Sequence, residues 1–161
     1  MPSEPSIQIV RDIAAQLRTA LSNMPPTIPS FSSFPNGCCG NTAELLIKFM
    51  HDAGCTGMQY ASAWSGEDFL PALDSSHAWV EYRGYIIDIT LNQFSDRISE
   101  PIEPIFFSKD RRLHDKYFDR QVEIYDVSRS LRCADRYSQN GFYGNFRDIY
   151  DAASARMTLN M

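Results

Sequence analysis

The chain has 161 residues, of which 43% are hydrophobic and 22% charged, and its formal net charge is −5. That length and balance suit one globular domain spanning residues 1–161, with room for a hydrophobic core. The acidic balance argues against a broad nucleic-acid or anionic-membrane surface, and no apolar run approaches the length of a membrane span.

Apolar positions Ile9, Val10, Ile13, Leu17 and Leu21, with Asp12 and Arg18 between them, predict an amphipathic helix over Ile7–Leu21. Met24 to Phe34 is a Pro/Ser-rich connector that cannot continue it. Pro35 to Asn41 reads as a turn, followed by a helix from about Thr42 to Ala53 with Ala43, Leu46, Ile47 and Met50 on one stripe and Gly54 as its stop. Met58 to Trp64 is a predicted strand, and Ser65 to Ser76 a polar loop containing Gly66, Pro71 and Asp74. A hairpin follows, its second strand running to about Leu91. Asn92 to Glu103 reads as irregular, Pro104 to Phe107 as a short strand, Tyr117 to Asp126 as containing another strand, and Phe146 to about Met157 as a helix. Helices first and antiparallel strands after them predict an α+β fold.

The hairpin carries the first chemical signal. With Arg83-Gly84 as the turn, Tyr82 faces Tyr85, Trp79 lies opposite Asp88, and His77 lies opposite Thr90. His77 and Asp88 are then diagonal neighbours on one face, because side chains two apart in a strand point the same way. The other face carries Ala78, Val80, Tyr82, Tyr85, Ile87 and Ile89, suited to a core, so the face with the polar pair reads as the exposed one. A one-residue bulge at the turn would send the pair to opposite faces.

The second signal is a cysteine at a predicted helix start, either Cys38 or Cys39. Unpaired N–H groups and the helix dipole favour a thiolate there, and the same N–H groups can donate to an oxyanion. A neighbouring histidine serves as general base and acid, and a carboxylate orients it. Asp88 lies among Ile86, Ile87 and Ile89, where a carboxylate without a partner is costly; His77 would resolve that cost.

Other polar residues carry weaker signals. The remaining cysteines, Cys55 and Cys133, read as small core residues. No Cys-x-x-Cys occurs and the N-terminus lacks the order of a secretory signal, so a reduced, cytoplasmic compartment is the simplest expectation, with signal-independent export as the alternative. His51 and Cys55 have helical i, i+4 spacing but lack a second ligand pair for a metal. His114, in a charged segment, reads as exposed, and Arg111, Arg112 and Lys116 as a solvated basic cluster. Trp79 either flanks the cleft or packs beside the hairpin. Asn36 and Asn41 are candidate oxyanion donors, or else a turn residue and a helix N-cap.

Three segments resemble the papain-like and transglutaminase-like cysteine enzyme superfamily: Gly37 to Leu46 (GCCGNTAELL), Ser76 to Glu81 (SHAWVE) and Ile87 to Thr90 (IDIT). The resemblance spans Pro35 to Phe94, roughly a third of the chain. It implies helices packed on a central antiparallel sheet and a Cys39–His77–Asp88 triad, with Gly37 two residues before the nucleophile. Gly40 stands where the family commonly has tryptophan, which keeps Cys38 as the alternative nucleophile; Asn36, Cys38 and Trp79 are the candidate substrate or oxyanion residues. The implied activity is hydrolysis of amide bonds in a protein or peptide substrate, as a peptidase or glutamine deamidase, without a cofactor. Acyl transfer by the same triad, a binding module that keeps the fold, and a metal-binding protein are the alternatives.

Overall fold

The computed structural model describes residues 3–69, 75–126 and 146–157; Pro71, Asp74 and Cys133 lie outside them. Helix α1 (Ile7–Leu21) has the predicted bounds, and the Ser6 hydroxyl caps it by accepting from the Ile9 N–H at 3.3 Å. Its buried stripe is Val10, Ile13, Ala14, Leu17, Ala20 and Leu21. Ile9 falls off that stripe and is exposed. Helix α2 (Cys39–Asp52) starts three residues before the predicted Thr42, so Cys39 is its first residue and Cys38 its N-cap position. Asn41 therefore sits inside the first turn rather than capping it. At the other end Gly54 takes φ +100°. Its N–H returns to the His51 carbonyl at 2.9 Å, and that of Cys55 to Met50 at 3.0 Å.

Among the described residues five antiparallel strands follow: β1 (Gln59–Trp64), β2 (Ser76–Tyr82), β3 (Tyr85–Asp88), β4 (Phe106–Ser108) and β5 (Arg120–Asp126), in the order β4-β3-β2-β1-β5. The architecture is α+β, with helices α1, α2 and α4 (Phe146–Arg156) sharing one core against the sheet. In the hairpin Arg83 and Gly84 both have positive φ, 52° and 80°, as a two-residue turn matched to strand twist requires. The register is the counted one: Tyr82 pairs with Tyr85, Glu81 with Ile86, and Val80 with Ile87. The ladder stops there. The first half of β2 pairs with β1 alone, and Asp88 pairs with Phe106 of β4.

Alternation along the strands builds two cores. Ala78, Val80, Tyr82, Ile87 and Ile89 join the helices. Trp79, Ile86, Ala61 and Ala63 join Phe69, Leu91, Phe94, Ile98, Tyr117 and Phe118 on the opposite face. The face read from sequence as exposed is thus covered. Two segments supply much of the cover. A 3-10 turn at Leu91–Phe94 lays Leu91 and Phe94 on the sheet, in a stretch read as irregular. Helix α3 (Arg112–Tyr117) forms in the charged segment, and Tyr117 and Phe118 at its end enter the same core. The amphipathic pattern of so short a helix is weak against its charges.

Candidate active site

Cys39 is the first helical residue of α2, where the backbone N–H groups have no partner within the helix. Gly37 at φ +70° makes the turn that delivers it. Gln93 holds that turn: its Oε1 accepts from the Gly37 N–H at 3.2 Å, and its Nε2 donates to the Thr90 carbonyl at 3.0 Å. One side chain thereby ties the cysteine turn to the segment that follows Asp88. Gly40 brings the first turn of α2 close to β1; a Cβ there would lie 3.3 Å from the Tyr60 hydroxyl.

His77 and Asp88 are both buried, and His77 Nε2 lies 2.6 Å from Asp88 Oδ2. The same oxygen lies 2.7 Å from His114 Nε2. Asp88 Oδ1 accepts from the Thr90 N–H at 3.1 Å, so the carboxylate is held at both oxygens. The His77 ring packs edge-on against Phe94, with centroids 5.1 Å apart, and beside Phe118 at 4.9 Å. With Nε2 committed to Asp88, Nδ1 is the ring nitrogen left for the thiol, and no other group occupies it.

Cys39 is half-buried and lines a groove of about 830 Å³ with Asn36, Gly37, Ser75, Ser76, Asn92 and Gln93. Burial pushes its thiol pKa up, but the His77 imidazole, by hydrogen bonding and charge, and the Ala78 backbone N–H outweigh burial and leave it lowered. Burial likewise opposes charge on His77, yet Asp88, with a smaller contribution from Cys39, pushes its pKa up to about 10. Asp88 resists burial in turn, because His77 and His114 hold its carboxyl well below the usual carboxylate range. These shifts describe one charge distribution of thiolate, imidazolium and carboxylate, which favours a nucleophilic sulfur.

The structure brings Cys39, His77 and Asp88 together, sets Cys39 and Asn36 on the groove, and separates two other candidates from it. Cys38 is buried, its Sγ at 3.3 and 3.4 Å from the Asn36 and Ser30 carbonyls, and burial pushes its pKa up to about 11. Its side chain lies off the groove that Cys39 lines. Trp79 is buried in the second core and donates from Nε1 to Glu81 Oε2 at 3.3 Å, so it packs behind the site rather than flanking the groove.

His114, read as exposed, is 1% exposed. Sequence did hold a signal for it: His114, Tyr117 and Phe118 are spaced i, i+3, i+4, one helical face. The basic cluster around it is divided. Arg111 pairs with Glu81 at 2.5 Å, while Arg112 pairs with Asp110 at 2.7 Å in solvent.

Among the described residues, His77, Asp88 and His114 form the one group whose ligand atoms, all within 4.8 Å of one another, could meet a metal ion. A cation there would replace both Nε2 protons. Ligating imidazoles also hold their far N–H on an acceptor, and the His114 Nδ1 has none. The cluster fits hydrogen bonding better than metal binding. His51 Nδ1 instead lies 3.6 Å from Asp52 Oδ1, and Cys55 is buried beside Tyr82.

No helix among the described residues is long and apolar enough to cross a membrane. No protein-family model, curated protein or solved structure matches this chain.

Proposed function

We propose that this protein is a thiol hydrolase that cleaves amide bonds in peptides or proteins, at a peptide bond or a glutamine side chain, through a covalent thioester. One observation carries the reading: Cys39 opens helix α2 on a groove, next to a buried His77 whose other ring nitrogen is 2.6 Å from Asp88.

The steps follow from those positions. The Cys39 sulfur attacks the amide carbon, and the Cys39 backbone N–H donates to the oxyanion that forms. Asn36, on the same groove, is the candidate second donor. The C–N bond breaks as His77 Nδ1–H protonates the departing nitrogen, which leaves as an amine or ammonia. Water then attacks the thioester and gives its proton to Nδ1, and the thiolate departs to release the carboxylic acid. Asp88 keeps Nε2–H on its oxygen throughout, so His77 exchanges protons only on the side that faces the sulfur.

Iodoacetamide labelling against pH, read by peptide mapping, tests this. Cys39 is expected to react with a midpoint well below the free-thiol value of about 8.5, while Cys38 and Cys55 stay silent until the chain unfolds. Equal labelling of all cysteines with an ordinary midpoint would overturn the reading. A thioester that turns over only with added amine would reassign the chemistry to acyl transfer.

A further inference from the structure

We propose that His114 is a positioning residue for this triad: it holds Asp88 by the same oxygen that holds His77, so the carboxylate keeps its aim while His77 exchanges protons. The inference rests on the thiol-hydrolase reading and adds a residue to it. Nε2 of His77 and Nε2 of His114 lie 2.6 and 2.7 Å from Asp88 Oδ2. An ionised carboxylate only accepts hydrogen bonds, so both nitrogens carry protons. The two imidazoles then differ in what faces Nδ1. For His77 it is the Cys39 thiol, which can give or take a proton. For His114 Nδ1 is buried without a partner, and a proton placed there would be a buried donor with no acceptor. His114 is therefore placed as a donor to Asp88 Oδ2 through Nε2.

Packing removes its freedom to be anything else. Its ring sits 4.9 Å from the Trp79 ring and 5.0 Å from that of Phe106. The Arg111–Glu81 ion pair ties the start of α3 to β2, the strand that carries His77. The titratable and charged groups facing the cluster are Cys39 from α2, Arg18 from α1 by charge, His77 from β2, Asp88 from β3 and His114 from α3. Thr90 holds Oδ1 through its N–H and hydroxyl, so without His114 the other oxygen would depend on the His77 bond alone. The second donor, His114 Nε2, keeps Oδ2 in place when that bond weakens.

The test compares the alkylation profile of Cys39 in His114→Leu, which keeps bulk but loses the donor, and in His114→Gln, whose amide N–H reaches toward the place of Nε2. His114→Leu is expected to move the Cys39 midpoint up by about one pH unit, roughly a tenfold loss of reactivity on the acid side. His114→Gln is expected to restore most of that loss. If both variants change thermal stability but leave the Cys39 profile at the wild-type position, His114 is only a core residue and the proposal falls.

Histidine ¹⁵N NMR of the unaltered protein tests it without any variant. His114 is expected to carry a proton on Nε2, hydrogen-bonded to Asp88. A His114 Nε2 without a proton overturns the assignment, as does stoichiometric zinc binding that is lost in His114→Leu. An ordinary Cys39 midpoint in the unaltered protein would instead sink the hydrolase reading itself, which separates the two failures.

Discussion

Cys38 and Cys39 are adjacent in the chain and chemically opposite in the fold. Cys38 turns its sulfur into the core, onto the carbonyls of Ser30 and Asn36, whereas Cys39 lines the groove beside His77. Burial pushes the first thiol up to about 11, and the imidazole draws the second down. Cys39→Ala is therefore expected to abolish thioester formation with an activated ester such as p-nitrophenyl acetate. Cys38→Ala is expected to retain it within about threefold while losing roughly 1–2 kcal/mol of stability in urea unfolding, as for a small buried side chain.

Replacing Asp88 removes the acceptor shared by two imidazoles. In Asp88→Asn one side-chain oxygen remains to accept, and an amide N–H takes the other position, where it would turn His77 to the wrong tautomer. The acylation rate of Cys39 is expected to fall by roughly 10³–10⁴-fold, the scale found when the orienting carboxylate of a triad is neutralised. A loss below tenfold in stopped-flow acylation would remove Asp88 from the mechanism.

Stability should also report the buried pair. His77 has its folded pKa raised to about 10, so its contribution is fully present below the unfolded value of about 6.5 and is lost as pH rises toward 10. Asp88 has its pKa depressed, so its contribution is present above about pH 4 and is lost as pH falls through its folded value. These two groups together place their greatest stabilisation between about pH 4 and 6.5. In a Cys39→Ala background, where thiol titration no longer contributes, melting temperature should fall from pH 6.5 to 10. His77→Gln should flatten that limb. The direction survives the background because Asp88 raises the His77 pKa more than Cys39 does.

The aromatic cover is open to a direct test. Phe118 is buried against His77, Phe94 and Phe69. Phe118→Ala is expected to cost about 3–5 kcal/mol in urea unfolding, because it leaves a cavity over the imidazole. Water entering there would screen the His77–Asp88 pair, so the Cys39 alkylation midpoint should rise toward that of a free thiol.

Gly37 carries the turn into α2 at φ +70°, and a Cβ there would meet nothing within 4 Å. Any penalty on substitution is thus backbone strain rather than a clash. Gly37→Val is expected to lose about 1–2 kcal/mol and slow Cys39 alkylation. Gly37→Asn, which tolerates the left-handed region, should lose less on both counts.

Much of this site is local, and local order is legible in a sequence. Hairpin register follows from a two-residue turn and the two-residue period of a strand, so counting outward from Arg83-Gly84 suffices to place His77 and Asp88 on one face. The stripe on α1 and the glycine stop of α2 have the same origin in backbone geometry. What a face meets is a different question. His114 lies 26 residues from Asp88 and its neighbours are mostly charged, so nothing within hydrogen-bonding reach along the chain marks it as a partner. Between Cys38 and Cys39, Gly37 two residues upstream favours the second, but only the start of α2 turns the Cys38 sulfur inward.

By itself, then, the sequence determined the α+β order, the hairpin register and the proximity of a histidine and an aspartate on one face. Tertiary structure decided that this face is buried, that Cys39 rather than Cys38 meets the imidazole, and that Asp88 serves two histidines. The physical reason is range. Strand period and turn chemistry act over a few residues, whereas burial and partner choice depend on segments such as α3 and the Leu91–Phe94 turn, which come together only when the chain closes over its second core.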